Sequence, residues 1–203
     1  MKPRLIHIIP SLLLCIFFLP LNTSAALPIV RSISEVKNDT IRNELAILMR
    51  NFGIAGKYDM NKDTLKPLRS LKSTRNGDRF IALMGYKSWG WTVAFSSEIN
   101  NLERDGHICR FDIRVVSPFL RHFNFYHGAS GWRTDSTIIQ PIGAAFANAF
   151  GSSSQSRMEL AAYMSIDCRR QYLVIKSINA TGSNKMLIIA FAVTSDWAII
   201  TDV

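Results

Sequence analysis

The stretch His107-Ile108-Cys109-Arg110-Phe111-Asp112-Ile113-Arg114-Val115-Val116 decides how the chain is read. Ile108, Arg110, Asp112 and Arg114 alternate with Cys109, Phe111, Ile113 and Val115. A strict two-residue period with apolar side chains on one side is the signature of a half-buried strand. On its N-terminal side, Trp89–Ser96 alternates in the same way, with Trp89, Trp91, Val93 and Phe95 on one side. Arg79–Tyr86, Arg157–Asp167, Arg170–Ile178, Lys185–Thr194 and Trp197–Thr201 are further short apolar runs separated by turn-like segments. Strands this close in sequence fit hairpins of an antiparallel sheet better than crossover units.

Upstream the period changes. Over residues 39–52, Ile41, Leu45, Leu48, Met49 and Phe52 recur on one helical face, Asp39 or Thr40 can cap the start, and Gly53 supplies the stop. Arg42, Asn43 and Arg50 take the polar face. The expected class is therefore α+β, an N-terminal amphipathic helix packed on an antiparallel β-sheet. Residues 54–78 read as a basic loop carrying Lys62, Lys66, Arg69 and Lys72 among other cations, with Tyr58 as the one interleaved aromatic. Nucleic-acid binders pair such charge with stacking rings or a recognisable module, so no nucleic acid is expected. A protein, an anionic glycan or an anionic membrane surface fits better.

The first 26 residues read as an export signal. Lys2 and Arg4 precede an apolar run from Leu5 to Leu21, and Asn22-Thr23-Ser24-Ala25-Ala26 offers small-x-small cleavage sites. A retained anchor is the alternative, but Pro10 and Pro20 interrupt a run already short for a bilayer of about 30 Å. Cys15, mid-run between Leu14 and Ile16, lacks the small residues expected before a lipidated cysteine. The expected location is periplasm or cell surface. Losing Lys2 and Arg4 lowers the formal charge by two, from +9 to +7, so the mature chain stays basic.

Cysteine counting follows from export. Cys109 and Cys168 remain in an oxidising compartment, and one intramolecular disulfide is the default. It closes a loop of roughly 60 residues, worth about 3–5 kcal/mol when unstrained. Free structural thiols, or a thiol nucleophile served by His107, are the competing readings. Two isolated cysteines without paired spacing make a poor zinc site.

The segment 117–157 is weakly patterned and reads as an insertion in a β domain spanning 79–203. It contains Arg121-His122-Phe123-Asn124-Phe125-Tyr126-His127, then Gly131-Trp132-Arg133, then a run of small residues from Gly143 to Gly151. Arg121, Tyr126, Trp132 and Arg133 are the candidate anchors for a partner, because aromatic and arginine side chains dominate interface energetics. Covering one end of the sheet is the plainer reading of the aromatics.

Enzymatic readings are weaker. His122 and His127 stand five apart, which suits neither strand nor helical pairing of metal ligands, and Asp135 is the nearest third ligand. Gly128-Ala129-Ser130-Gly131-Trp132 lacks the nucleophile-elbow pattern. Glu98 and Glu103 could pair as carboxylates, but nothing in the sequence suggests environments that would give them separate acid and base roles. No phosphate-binding or dinucleotide fingerprint occurs. No cofactor, metal or catalytic residue is assigned.

Two segments carry a resemblance. Ser96-Ser97-Glu98-Ile99-Asn100-Asn101-Leu102-Glu103-Arg104-Asp105-Gly106 with the strand Arg110–Val116 is one; Ser165-Ile166-Asp167-Cys168-Arg169-Arg170-Gln171-Tyr172-Leu173-Val174-Ile175, with the closing Trp197-Ala198-Ile199-Ile200, is the other. Together they resemble the surface-adhesin protein E family of small exported bacterial proteins over residues 89–116 and 158–203. The leading helix and segment 117–156 depart from it. The resemblance implies an exported, non-catalytic antiparallel β domain that binds a macromolecule, with laminin or plasminogen as adhesin-type partners. A periplasmic inhibitor or immunity-like protein is the second function expected, and a hydrolase built around His122, His127 and Asp135 the third.

Overall fold

The structure is a computed structural model and describes residues 29–30, 33–53, 64–71, 73–86, 89–114, 120–127, 132–133, 146, 150, 156–178, 184–192 and 197–200. The elements, in chain order, are β1 (Ile29–Val30), a 3-10 turn at Ile33–Glu35, α1 (Asp39–Gly53), β2 (Leu65–Ser70), β3 (Phe80–Tyr86), β4 (Trp89–Phe95) and β5 (Ile99–Asp105). They continue with β6 (Ile108–Ile113), β7 (Leu120–His127), β8 (Trp132–Arg133), β9 (Ser156–Ser165), β10 (Arg170–Ile178), β11 (Asn184–Ala192) and β12 (Trp197–Ile200).

The sheet turns on β9. One edge pairs antiparallel with β10, which continues through β11 and β12 to a parallel β1. The other edge is shared end to end. Leu65–Leu68 of β2 pair with Ser165–Ala162, and Cys109–Ile113 of β6 pair with Leu160–Ser156. The end of β2 then leaves β9: Arg69 and Ser70 pair with Met84 and Leu83 of β3, and the ladder runs on through β4, β7 and β8. A strand that changes partner midway turns a corner, so the sheet curls into a half-barrel.

The inward face is one core. Cys109, Phe111 and Ile113 of β6 meet Trp91, Val93 and Phe95 of β4, with Leu160, Leu173, Ile175 and Leu187 beneath them. Phe95 lies against Phe111 at 5.4 Å between ring centroids, and the buried, helical Phe146 and Phe150 close over it. The outward face of β9, β10 and β11 is a second apolar surface. Leu45 and Leu48 of α1 cover Tyr163, Tyr172, Val174 and Ile188 there. These strands are therefore apolar on both sides, which is why they read as continuous hydrophobic runs.

Two expectations are corrected. The class is not α+β: strands dominate, and α1 is one short helix laid on the outside of a mostly antiparallel half-barrel. The disulfide does not form, and neither Cys109 nor Cys168 is bridged. The register gives the reason. Cys109 pairs with Leu160, five residues before the end of β9 at Ser165, and Cys168 lies beyond that end. Five residues of strand span about 17 Å, whereas a disulfide needs Cα atoms within about 7 Å.

Smaller differences have equally local causes. Asn38, not Asp39 or Thr40, caps α1, its Oδ1 accepting the Ile41 amide at 3.1 Å. Part of the expected basic loop is a strand, β2. Segment 117–157 supplies β7, which pairs along the whole of β4. Gly90 is bare because Met84 of the neighbouring strand lies across it; an added Cβ would also stand 2.7 Å from the Leu83 carbonyl oxygen.

Candidate functional site

Two polar constellations interrupt the apolar faces. The outward one locks the helix to the sheet. Glu44, in the apolar stripe of α1, is 4% exposed. Its carboxylate accepts two hydrogen bonds from the Arg170 guanidinium, at 2.8 and 2.9 Å, and a third from the Tyr172 hydroxyl. Arg170 also reaches Asp167 at 3.1 Å. The bonds to Glu44 raise the pKa of Arg170, and burial, reinforced by the Glu44 charge, raises that of Tyr172, so the guanidinium stays charged and the phenol neutral. A fixed ion pair bonded three ways orients the helix and offers no group to a substrate.

Tyr163 pairs with Tyr172 across the ladder, and its hydroxyl lies 2.9 Å from His107 Nε2. Burial lowers the His107 pKa below its ordinary 6.5, and the opposing pull of Asp105 is smaller. The neutral ring is thus favoured in the folded state. The unfolded chain takes up the proton more readily between the depressed value and 6.5, so His107 contributes stability that is complete above pH 6.5 and lost as pH falls through that window. Urea midpoints measured from pH 7.5 to 5 are expected to fall at the acid end, and His107→Gln is expected to flatten that part of the profile.

The inward constellation sits at one end of the half-barrel. Lys66, Met164 and Gln171 are register partners across β2, β9 and β10, and they share the inward face. Lys66 Nζ donates to the Tyr86 hydroxyl at 2.6 Å and lies 4.7 Å from that ring's centroid. Cys168 Sγ stands 3.8 Å from the same hydroxyl. Tyr86 reaches this place because of a bulge. Ile81 and Leu83 point inward, so strict alternation would turn Tyr86 outward, but the β3–β4 register shifts between Met84 and Tyr86. Gly85 makes the shift with φ +142°, pressed so close to Arg69 of β2 that a Cβ would sit 3.2 Å from its backbone nitrogen.

Cys168 is set just as firmly. It occupies the left-handed region, φ 61°, in the β9–β10 turn, where Gly or Asn is the usual occupant. Its amide bonds the Ser165 carbonyl at 3.0 Å. Asp167 accepts from Ser165 Oγ at 2.5 Å and from the Arg169 amide at 3.0 Å. Gln171 is 0% exposed, and neither its Nε2 nor its Oε1 has a hydrogen-bond partner among the described residues. A buried amide left unbonded costs about 1–3 kcal/mol per group.

The sequence-derived residues are only partly brought together. Lys66 is half-buried in the inward cluster, while Arg69, three residues on, is exposed on the other side of β2. Tyr126 stands opposite Trp132, and Phe125 opposite Arg133, at the β7–β8 edge. Arg121 is five residues further along β7, about 17 Å away. His122 and His127 also fall on β7. The leader 1–26, Lys62, Lys72, Ser130 and Asp135 lie outside the described residues. Among the described residues, no group of three or more His, Cys, Asp or Glu could hold a metal ion, and no helix is long and apolar enough to cross a membrane.

Glu44, Tyr86 and Gln171 escape a reading of the sequence. Glu44 and Gln171 do leave a signal, a polar residue inside an otherwise apolar periodic run. Tyr86 leaves none, because its direction depends on the bulge. No protein-family model, curated protein or solved structure matches the chain.

Proposed function

We propose that the protein is exported and acts as a non-catalytic, adhesin-like binding protein for a macromolecular partner, a protein or an anionic glycan. The reading rests on how charge is used at the surface. The carboxylates of Asp39, Glu44, Glu98, Glu103, Asp105, Asp112, Glu159 and Asp167 are each held by an arginine. Arg69, Arg75, Arg114 and Arg169 are exposed, and none of their guanidinium groups is in an ion pair among the described residues. With those eight carboxylates neutralised locally, the field left over is positive, and it attracts anionic surfaces. The pairing of Tyr126 with Trp132 beside Arg133 at a sheet edge supplies residue types suited to anchoring a partner.

The test is retention of the purified protein on immobilised laminin and on an immobilised sulfated glycan across a salt series. Binding that weakens steeply with salt, and weakens further in an Arg69→Ser/Arg75→Ser variant, is the expected result. Binding indifferent to salt and to those substitutions would overturn the reading.

A further inference from the structure

We propose that Asn76, in the loop between β2 and β3, is a site of spontaneous deamidation through a succinimide, held shut by the hydrogen bonds that latch this loop onto the edge of β5. Its chemistry is independent of the surface charge, and either reading can fail without the other.

Asn76 precedes Gly77, and an asparagine before glycine is the pair most open to this reaction, because no side chain shields the glycine nitrogen. Both residues are exposed, and a Cβ placed on Gly77 would meet nothing within 4 Å. The reaction consumes only water. The Gly77 amide nitrogen gives its proton to a buffer base and attacks Asn76 Cγ. The side-chain nitrogen leaves with the electron pair of its bond to Cγ and takes up a proton, departing as ammonia. Water then opens the ring at Cγ, which gives aspartate, or at the main-chain carbonyl carbon, which gives isoaspartate.

The fold opposes the first step at both reacting groups. The Gly77 amide donates to the Ile99 carbonyl at 2.8 Å, and Asn76 Oδ1 accepts from the Leu102 amide at 2.9 Å. The Ile99 amide in turn donates to the Asp78 carbonyl at 2.8 Å. The loop thus lies along the edge of β5 that faces away from β6, as a cover over an edge strand does. Arg104, also on β5, clamps the loop further by donating to the Leu71 carbonyl at 3.3 Å and to the Thr74 carbonyl. Attack requires Gly77 to surrender its bond and the Asn76 carboxamide to leave Leu102. The native rate is therefore the unfolded rate multiplied by the fraction of molecules whose loop has lifted. Aspartate keeps an oxygen for the Leu102 amide. Isoaspartate adds a carbon to the main chain before Gly77, and the latch loses its spacing.

The test incubates the purified protein at mildly alkaline pH, native and in guanidinium chloride, and follows the loop peptide by mass for replacement of an amide by an acid. The expected result is conversion of Asn76 in denaturant and a native rate lower by about tenfold or more. Arg104→Met is expected to raise the native rate by about fivefold and to leave the rate in denaturant unchanged. A chain that keeps its amide in denaturant overturns the site, and equal native and denatured rates overturn the latch. Should Arg104→Met fail to fold, hydrogen exchange of the wild-type Gly77 amide supplies the lifted fraction independently. A native rate that exceeds this fraction of the denatured rate by more than about tenfold overturns the latch. Refolded isoaspartate protein is expected to exchange its Ile99 and Leu102 amides faster than the Asn76→Asp variant, and equal exchange overturns the loss of the latch.

Discussion

Glu44→Ala is expected to cost about 3–5 kcal/mol of folding stability, measured by urea unfolding at pH 7. The cause is the group stranded by the substitution rather than the group removed. Arg170, with its side chain 17% exposed, loses both bonds to the Glu44 carboxylate and keeps only the outlying Asp167. The Tyr172 hydroxyl loses its acceptor under the helix. A double replacement, Glu44→Leu with Arg170→Met, is expected to recover most of the loss, because a pair of apolar groups leaves no charge stranded. A double variant as unstable as the single one would show that α1 is held chiefly by other contacts.

Trp91→Ala is expected to cost about 3–5 kcal/mol, by the same measurement. Trp91 is 0% exposed in the middle of β4, and its ring fills the space between the two arms of the curled sheet. Its neighbours come from strands that the ladder fixes from both edges, so they cannot collapse into the void. A loss below about 1 kcal/mol would mean that the half-barrel interior is loosely filled.

The strands of this interior are legible in the sequence because each buries one face and exposes or differently covers the other. Trp89–Phe95 and Ile108–Ile113 show a period of two that nothing but a strand produces. Arg170–Ile178 and Asn184–Ala192 are legible as apolar runs, although which side meets a helix is not written in a run that is apolar throughout. β2 is not legible. Its buried residues Leu65 and Leu68 are three apart and point to opposite faces, with Lys66 and Pro67 between them, so no alternation exists to read. β5 buries Ile99 and exposes most of its remaining residues, as an edge strand does. The α+β class fails because a clear helical period in one segment says nothing of its share in the architecture.

The candidate site is less legible than the fold, for the same kind of reason. Lys66 stands out as a cation, yet its inward direction comes from a strand the pattern conceals. Tyr86 turns inward on a bulge at Gly85, and Cys168 is held by a turn whose left-handed residue is not the expected glycine. Counting cysteines suggests a bond between Cys109 and Cys168. Counting carries no distance, and the register separates them by more than a disulfide can span.

The inward cluster exists only in that register, and thiol reactivity tests it most directly. The purified protein is treated with iodoacetamide without reductant, first native and then in denaturant, and each cysteine is followed by mass. The expected result is labelling of half-buried Cys168 in the native protein, with buried Cys109 reacting only on unfolding. Two cysteines that resist the reagent even when unfolded, and react only after reduction, would restore the disulfide and contradict the strand order described here.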